Sequence, residues 1–438
     1  MAVGGHRAGQ GEIGSIECDV CVVGGGPAGM TLALLLATQG REVVVLEKSR
    51  SFERSFRGES IAPDSAWLLD ELGVLHDLRR QGILDVRAME LSDAGQRMLT
   101  VDFDEFDQPV RYPVEIPQPM LLGQLARTAE QYPGFRLIQQ CSAVGLCFDG
   151  DRVAGVLART SAGDLQVNAR LTVGADGRYS KVREWASMDS RVRPLERDFL
   201  WFTIPCPPVW SNDTYRVRIS GDRHAMCIPT YPDLVRVGVN IPKNGLKELR
   251  AAGIEALHTR VRELAPELTD HVQDSVRSWS NTSRLDIFTT EVPRWSRPGL
   301  VLVGDAAHTL SPVLAQGVNH AIIDGVSLAP LVAPTLERRD LAQLDQACVE
   351  FQASRQRHVA QARAMQLRQE KLFALSSPAA QALRRRMYRT VDRVPALRKR
   401  IWGRLYYSLA QRGDPTRTGL PPWSRRHRSR SEPATRSR

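Results

Sequence analysis

The sequence predicts an α/β chain that carries an added antiparallel sheet and a set of C-terminal helices. Three stretches support this: an apolar run broken by glycines at Asp19–Met30 (DVCVVGGGPAGM), short alternating segments within 186–289, and a helical, Arg- and Gln-rich composition from Phe351 to Arg412. In the first, β-branched Val20, Val22 and Val23 suit a strand buried on both faces of a parallel sheet. Pro27 then suits the first turn of a helix, and Ala28 to Thr38 carries strong helix formers. Gly24, Gly26 and Gly29 thus satisfy G-x-G-x-x-G at a strand-to-helix turn, where missing side chains let a pyrophosphate approach N–H groups at the positive end of the helix. The segment REVVVLE supplies the next strand and ends on Glu47, 18 residues beyond Gly29. A carboxylate there accepts both hydroxyls of an adenosine ribose. Glu47 also reads as a surface acid closing an ordinary strand, but the full order of strand, glycines, helix, strand and acid points to a Rossmann-like dinucleotide-binding domain. FAD and NAD are both open at this point.

With 438 residues the chain has room for two or three domains and a large core. Its 42% hydrophobic and 25% charged residues are those of a globular protein. The one apolar run of near-membrane length, Val20 to Ala37, is interrupted by Gly-Gly-Gly-Pro and reads as strand plus helix, so no transmembrane span is expected. The first sixteen residues are rich in Gly, lack the charged-then-apolar order of a signal peptide, and read as a flexible arm. Seven cysteines, an odd number scattered from Cys18 to Cys348, fit a reducing cytoplasm better than a disulfide framework. Cys18 and Cys21 make a C-x-x-C, but residues three apart in a strand point to opposite faces, so neither a redox pair nor a metal site is expected. The net charge of +10 is unevenly spread: residues 351–438 hold 22 Lys and Arg against 4 Asp and Glu, which leaves the rest of the chain net acidic.

Two further strand-to-loop sites follow. LTVGADGRYSKVRE places Asp176-Gly177 after a strand and before a short helix with Ser180, Val182 and Arg183; GLVLVGDAAHTLSPVLAQGVNHAIIDG places Gly304-Asp305, Pro312 and Gly317 ahead of a helix starting near Val318. Together with the first glycine motif and the FRGES segment, these resemble the flavoprotein monooxygenases of the para-hydroxybenzoate hydroxylase type, in family order, over roughly residues 17 to 345. The resemblance implies FAD as the cofactor. It implies Gly24, Gly26 and Gly29 at the pyrophosphate, Glu47 at the adenosine ribose, Arg57 and Gln118 as further flavin contacts, and Asp305 at the ribityl chain. It also places Pro312 beside the isoalloxazine, with Gln316, Gly317, Val318 and Asn319 offering backbone N–H groups at a helix N-terminus, where donors and a positive dipole favour an anionic reduced flavin. Asp176 resembles a site shared by FAD and transient nicotinamide; its plainer reading is an Asp-Gly β-turn, as that of Gln118 is a helix-terminal polar residue. His308 reads as structural rather than catalytic. Where many relatives carry a glycine-richer loop, this chain has Leu314 and Ala315, whose side chains are expected to narrow the approach to the ring.

By the same resemblance, NADH or NADPH reduces the flavin, dioxygen adds to give a flavin hydroperoxide, and one oxygen passes to an electron-rich small molecule, aromatic or polyketide-like. Segments such as RVRIS, HAMCIP and VRVGVN read as an antiparallel sheet that lines the substrate pocket, with Trp201, Phe202, Tyr215, His224, Met226 and Trp279 as candidate walls. No catalytic side chain is singled out, and no metal is expected. A flavin-dependent halogenase is the main competing reading, but no lysine lies between Lys48 and Lys181, and LWFTIP has Leu200 and Phe202 where W-x-W-x-I-P has tryptophans. An isoprenoid-type flavin reductase and a non-catalytic flavin-binding protein complete the alternatives.

The expected organisation is an arm (1–16), a discontinuous FAD-binding domain (17–75, 118–185 and 290–345), a substrate domain interleaved with it (76–117 and 186–289), basic C-terminal helices (346–412) and a disordered tail (413–438). In PALRKRIWGRLYYSLAQR, Leu397, Ile401, Leu405 and Leu409 fall four apart, with Trp402 and Tyr406 beside them, which defines an amphipathic helix. The preferred reading packs it on the FAD domain with its arginines solvated. An anionic membrane surface or an acidic carrier protein are the other partners such a helix suits. Specific nucleic-acid binding is not expected, since no recognition module accompanies the arginines.

Overall fold

The strand before the glycines, Gly14–Val23, is buried over its last four residues because parallel strands flank both of its edges. Val20 pairs with Leu171 on one side and Val43 on the other. In the computed structural model, which describes residues 14–53 and 59–407, the sheet built on it runs Ser296–Arg297, Leu300–Leu302, Gly163–Gly174, Gly14–Val23, Val43–Glu47, Phe135–Gln139. All these neighbours are parallel except the first pair. A hairpin of Ser142–Asp149 and Arg152–Thr160 adds antiparallel pairing to the outer half of Gly163–Gly174. Helix Pro27–Thr38 is covered by helix Gln316–Arg338. Gly325 makes that approach possible, since a Cβ there would come within 2.9 Å of the Leu32 amide nitrogen.

The second sheet has seven strands in the order Ser283–Leu285, Arg197–Pro205, Leu234–Pro242, Arg223–Thr230, Thr214–Ser220, Ala88–Asp93, Gln96–Asp102. The last two come from the segment before residue 117 and join Thr214–Ser220 by a parallel edge, so the two sheets are interleaved in the chain. A small three-stranded sheet, Ser60–Ile61, Val114–Glu115 and Leu84–Asp85, lies where the segments cross over.

Several boundaries differ from the sequence expectation. The first strand begins at Gly14, inside the stretch read as an arm, because Gly14 to Ile16 pair with Leu165 to Val167. Helix Val74–Gln81 runs across the expected boundary at 75 and buries Val74, Leu75 and Leu78 in the core of the first sheet. No break occurs at 345, since one 33-residue helix spans Leu341–Phe373. The region 186–289 is not all strand: helices Leu246–Ala251, Ile254–Leu264 and Thr269–Ser275 interrupt it. Leu257, Val261 and Leu264, at helical spacing, are buried against the seven-stranded sheet. All seven cysteines are free. No helix among the described residues is long and apolar enough to cross a membrane.

The C-terminal helices pack on the substrate sheet rather than on the FAD domain alone. Helix Pro378–Arg393 lies along Gln96–Asp102 and sends Arg384, fully buried, to the equally buried Asp93, with Nε donating to Oδ2 at 2.9 Å. In helix Pro395–Tyr406 the buried face is Arg398, Trp402 and Tyr406, one residue round from the expected Leu397–Ile401–Leu405 stripe; Leu409 lies outside the described residues. Arg398 pairs with Glu105, and Tyr407 stacks on Phe106 with ring centroids 4.7 Å apart. These arginines are therefore partly sequestered in ion pairs.

One polar group is buried at this junction without a partner among the described residues. His224 sits between Phe199 and Phe373, ring centroids 5.2 and 4.5 Å away, with neither ring nitrogen hydrogen-bonded. Burial, reinforced by Arg197, Arg260 and Arg384, pushes its pKa from 6.5 down to about 3. Between those values the unfolded chain binds a proton that the folded chain refuses, so the residue withdraws stability as pH falls. His224→Phe is expected to flatten the decline of the thermal midpoint between pH 6.5 and about 3; an unchanged slope would assign that decline to another group.

Candidate functional site

The glycine turn, the Asp176 loop and the Asp305 loop all lie at the carboxyl ends of parallel strands, the edge at which open α/β sheets bind ligands. A Cβ on Gly29 would come within 2.2 Å of the Gly24 carbonyl oxygen, and one on Gly24, at φ +109°, within 2.5 Å of the Ala175 carbonyl oxygen. Those two glycines let strand, helix and the second loop touch. Gly26 is different: among the described residues nothing lies within 4 Å of its Cβ position, and none of them gives helix Pro27–Thr38 a side-chain cap there. The unpaired N–H end of the helix therefore faces open space of the kind a pyrophosphate fills. Glu47 is buried and accepts from the Gly25 and Ser49 amides, each at 2.9 Å. It locks the turn to the second strand.

Asp176 is largely used by its own turn. It accepts from Ser180 Oγ at 2.5 Å and from the amides of Lys181 and Val182 at 2.7 and 3.0 Å, at the start of helix Lys181–Trp185. The neighbouring arginines bolt this loop to the third. Arg178 Nε lies 3.4 Å from Asp305 Oδ2, and Arg183 donates to the Ala306 carbonyl at 2.7 Å. Asp305 keeps a partly exposed carboxylate beside the glycine turn, because Gly304 packs its Cα side on Ala28. Gln118 is buried at the start of helix Gln118–Ala129. Arg57 lies outside the described residues.

Behind the Asp305 loop sits a buried charge cluster. Asp324 is wholly inaccessible and accepts from the Gly304 amide at 2.8 Å, from Arg355 Nε at 2.8 Å, and lies 2.7 Å from His308 Nε2. Burial opposes its ionisation, yet His308 and Arg355 outweigh that and hold the carboxyl well below the usual range. Arg355 also reaches His320 Nδ1 at 2.8 Å. His308 therefore orients the loop, as its structural reading expected. Asp324 and Arg355 were missed; the signal was a lone acid in the apolar run AIIDGV.

In the segment Pro312–Asn319, Leu314 and Ala315 are the residues expected from the sequence to narrow the approach to the ring. Leu314 and Ala315 both adopt left-handed backbone, φ 67° and 51°, at a cost of roughly 1 kcal/mol or more each for residues with a Cβ. The surroundings hold them there: Gln366 donates to the Ser311 and Val313 carbonyls at 2.8 and 2.9 Å, Gln316 to Leu314, and Asn319 to Ala315. Helix Gln316–Arg338 starts two residues earlier than expected, and no atom of the described residues lies within 4 Å of a Cβ placed on Gly317. The Asn319 amide spans to the FRGES side, donating to the Ser60 carbonyl and accepting from the Ala62 amide at 2.8 Å. Between this segment and the seven-stranded sheet runs a narrow crevice, bounded by Ile61, Pro113, Tyr215, Ala315, Asn319 and Tyr406, whose walls leave no room for a water molecule between them. Of the six candidate walls only Tyr215 borders it; Phe202 and Trp279 pack with the 254–276 helices, and Trp201 and Met226 with Phe199. No group of side chains able to hold a metal occurs among the described residues.

Residues 17–364 match the FAD-binding domain family model. The chain belongs to that family. It is 35% identical, over 92% of its length and 96% of the relative's, to the 6-methylpretetramide 4-monooxygenase of Streptomyces rimosus. It is 25% identical, over 84% and 91%, to the protoasukamycin 4-monooxygenase of Streptomyces nodosus subsp. asukaensis. Its fold superposes on the crystal structure of p-nitrophenol 4-monooxygenase from Pseudomonas putida DLL-E4 with a TM-score of 0.75, at 19% identity over 90% and 99% of the two chains. The protein is an FAD-dependent monooxygenase of the para-hydroxybenzoate hydroxylase type, with NAD(P)H as reductant.

Removing Asp324 strands Arg355 as a buried, unpaired cation, which costs about 3–5 kcal/mol. Asp324→Ala is expected to lower the thermal midpoint sharply. Because a depressed carboxyl stabilises the fold above its unfolded pKa of 3.8 and loses that contribution as pH falls, the gap between the two proteins should narrow in acid. A gap independent of pH would contradict the ion-pair account.

Proposed function

We propose that this monooxygenase hydroxylates a phenolic ring of a polyketide-like small molecule brought up to the Pro312–Asn319 loop. The crevice beside that loop has apolar or aromatic walls at Ile61, Pro113, Tyr215 and Tyr406, but it is closed to a water molecule and would have to open to admit a ring. The relationship to the 6-methylpretetramide enzyme, covering almost all of both chains, supports this substrate class.

The FAD contacts are part of the proposal. Gly24, Gly26 and Gly29 take the pyrophosphate, Glu47 the adenosine ribose and Asp305 the ribityl hydroxyls, while Gly317, Val318 and Asn319 present the helix start to the flavin and Pro312 flanks it. Gln118 and Arg57 are further candidates, and Asp176 acts mainly by shaping its turn. When bound, FAD supplies electrons from NAD(P)H to dioxygen and an oxygen atom to the ring. The protein's part is to hold the ring against the Ala315 side, keep water out and manage the ring's proton.

A free small molecule is favoured over a carrier-tethered or membrane-delivered one, because Trp402 and Tyr406 of the last helix are already buried against the substrate sheet. That leaves little apolar face for a second partner.

Incubation of the FAD-loaded protein with NAD(P)H, dioxygen and 6-methylpretetramide is expected to give a product heavier by one oxygen, with labelled oxygen arriving from labelled dioxygen. NAD(P)H consumption without ring oxygenation, across this and simpler phenols, would count against the substrate class. Asp305→Ala should weaken FAD binding by about 10- to 100-fold, the loss of a hydrogen bond to a charged group; unchanged flavin affinity in titration calorimetry would remove Asp305 from the site.

A further inference from the structure

A cavity of about 370 Å³ lies between helix Leu341–Phe373 and the segment that follows strand Phe288–Glu291, and none of its lining residues belongs to the flavin contacts proposed above. Gln356, Val359, Ala360 and Arg363 form one wall. They fall at i, i+3, i+4 and i+7 of the helix, which places them on one face. The other wall is Glu291 to Pro293 with Trp295. The two walls are tied at both ends. Gln352 donates to the Pro293 carbonyl at 2.8 Å and accepts from the Trp295 amide at 2.9 Å. Further along the helix, Arg363 donates to the Thr290 carbonyl at 3.1 Å and lies 3.3 Å from Glu291. The hollow between these ties is thus part of the fold, and its size is that of a small-ligand site.

The lining divides into an apolar floor and a charged rim. Val292, Trp295 and Val359 are buried. The Trp295 indole N–H already donates to the Val292 carbonyl at 3.0 Å, so the indole offers a ligand apolar surface and no donor. The charged lining residues are Arg357, Arg363 and Glu291, a net charge of +1. Arg363 Nε is buried with no hydrogen-bond partner among the described residues. Burial lowers the Arg363 guanidinium from its ordinary value, and Glu291 only partly opposes this, so the cation is under-compensated where it stands.

We propose that this cavity binds a small planar aromatic compound carrying one carboxylate, and that the bound ligand adjusts the Asp305 loop. The ring lies on the floor of Trp295, Val292 and Val359, and the carboxylate takes the planar guanidinium forks of Arg363 and Arg357, which match its geometry. A phosphate dianion suits the rim less well, because Glu291 leaves only a single net positive charge to meet it.

Two contact routes lead from the cavity to the turn Gly304-Asp305. Trp295 meets the His308 ring with centroids 4.9 Å apart, and His308 holds Asp324, which accepts from the Gly304 amide. Arg363 holds the Thr290 carbonyl, the Thr290 amide donates to the Thr309 carbonyl at 3.1 Å, and Thr309 Oγ1 donates to the Asp305 carbonyl at 3.0 Å. A ligand that draws on Arg363 or presses on Trp295 therefore acts on groups that fix this turn. The coupling rests on the Asp305 assignment proposed above, whereas the binding does not.

The test uses the full-length, FAD-loaded protein with 2-naphthoate as probe and 2-naphthamide as its uncharged counterpart. Calorimetry should show 2-naphthoate binding at least about 10-fold more tightly than the amide, the worth of hydrogen bonds to a charged group. Arg363→Gln should weaken it by about 10- to 100-fold, and Glu291→Gln, which removes the competing carboxylate, should tighten it. Ala360→Trp, at an exposed lining position, should abolish binding by filling the hollow, and it serves also if Arg363→Gln fails to fold. Saturating 2-naphthoate should change the FAD dissociation constant by about 5-fold or more, the usual scale of coupling between sites, and this change should be missing in Ala360→Trp. No binding, equal binding of the amide, or binding that Ala360→Trp leaves intact overturns the site. Binding as expected with an unchanged FAD dissociation constant overturns the coupling, and the Asp305→Ala titration then tells whether the flavin assignment fails with it.

Discussion

The pairing of Asp324 with His308, Arg355 and the Gly304 amide is the contact on which the rest of the site depends. It joins three parts of the chain: the turn that carries Asp305, the helix that starts beneath the crevice, and the long C-terminal helix. A buried carboxylate is tolerable only when its charge is met. Here two cationic or hydrogen-bonding side chains and one amide meet it, and each comes from an element that must therefore stay in register with the others. The position of Asp305 against Arg178 and the glycine turn follows from that register.

The same logic explains how the Pro312–Asn319 loop keeps a conformation its residues resist. Leu314 and Ala315 occupy a region of backbone space that glycine enters freely and they do not. Four side-chain hydrogen bonds to the loop carbonyls, from Gln316, Asn319 and Gln366, over-determine the path. Leu314 adds an apolar anchor, since its side chain packs with the cluster that contains Phe103, Tyr215 and Tyr406. The strain that a glycine would relieve is exchanged for an attachment between the flavin side of the site and the substrate side.

The basic C-terminal region has a structural use that its charge alone conceals. Arg384 and Arg398 are withdrawn into pairs with Asp93 and Glu105, acids carried by the segment between the two nucleotide-domain stretches. The helices thereby close the outer edge of the seven-stranded sheet, where Gln96–Asp102 has no further strand to pair with among the described residues. Trp402, Tyr406 and Tyr407 complete the apolar layer behind Tyr215. The crevice owes its back wall to residues more than 180 positions away from Tyr215 in the chain.

Much of this protein was legible without coordinates. Gly24, Gly29 and Gly304 are required by contacts with near neighbours on the sheet edge, and the order of strand, glycine turn and helix is set by residues a few positions apart, so the nucleotide-binding half and the family could be read directly. What local pattern could not supply was the identity of partners across long separations. The three helices within 186–289, the shift of the buried face to Arg398, Trp402 and Tyr406, and the meeting of Glu115 with Tyr215 across 100 residues all depend on which surfaces the fold brings together. Sequence alone determined the class of cofactor and the turns that hold it, because those rest on backbone geometry and short-range spacing. Tertiary structure decided which carboxylates are buried and which are paired, because burial and charge are properties of the packed interior and not of any one stretch of chain.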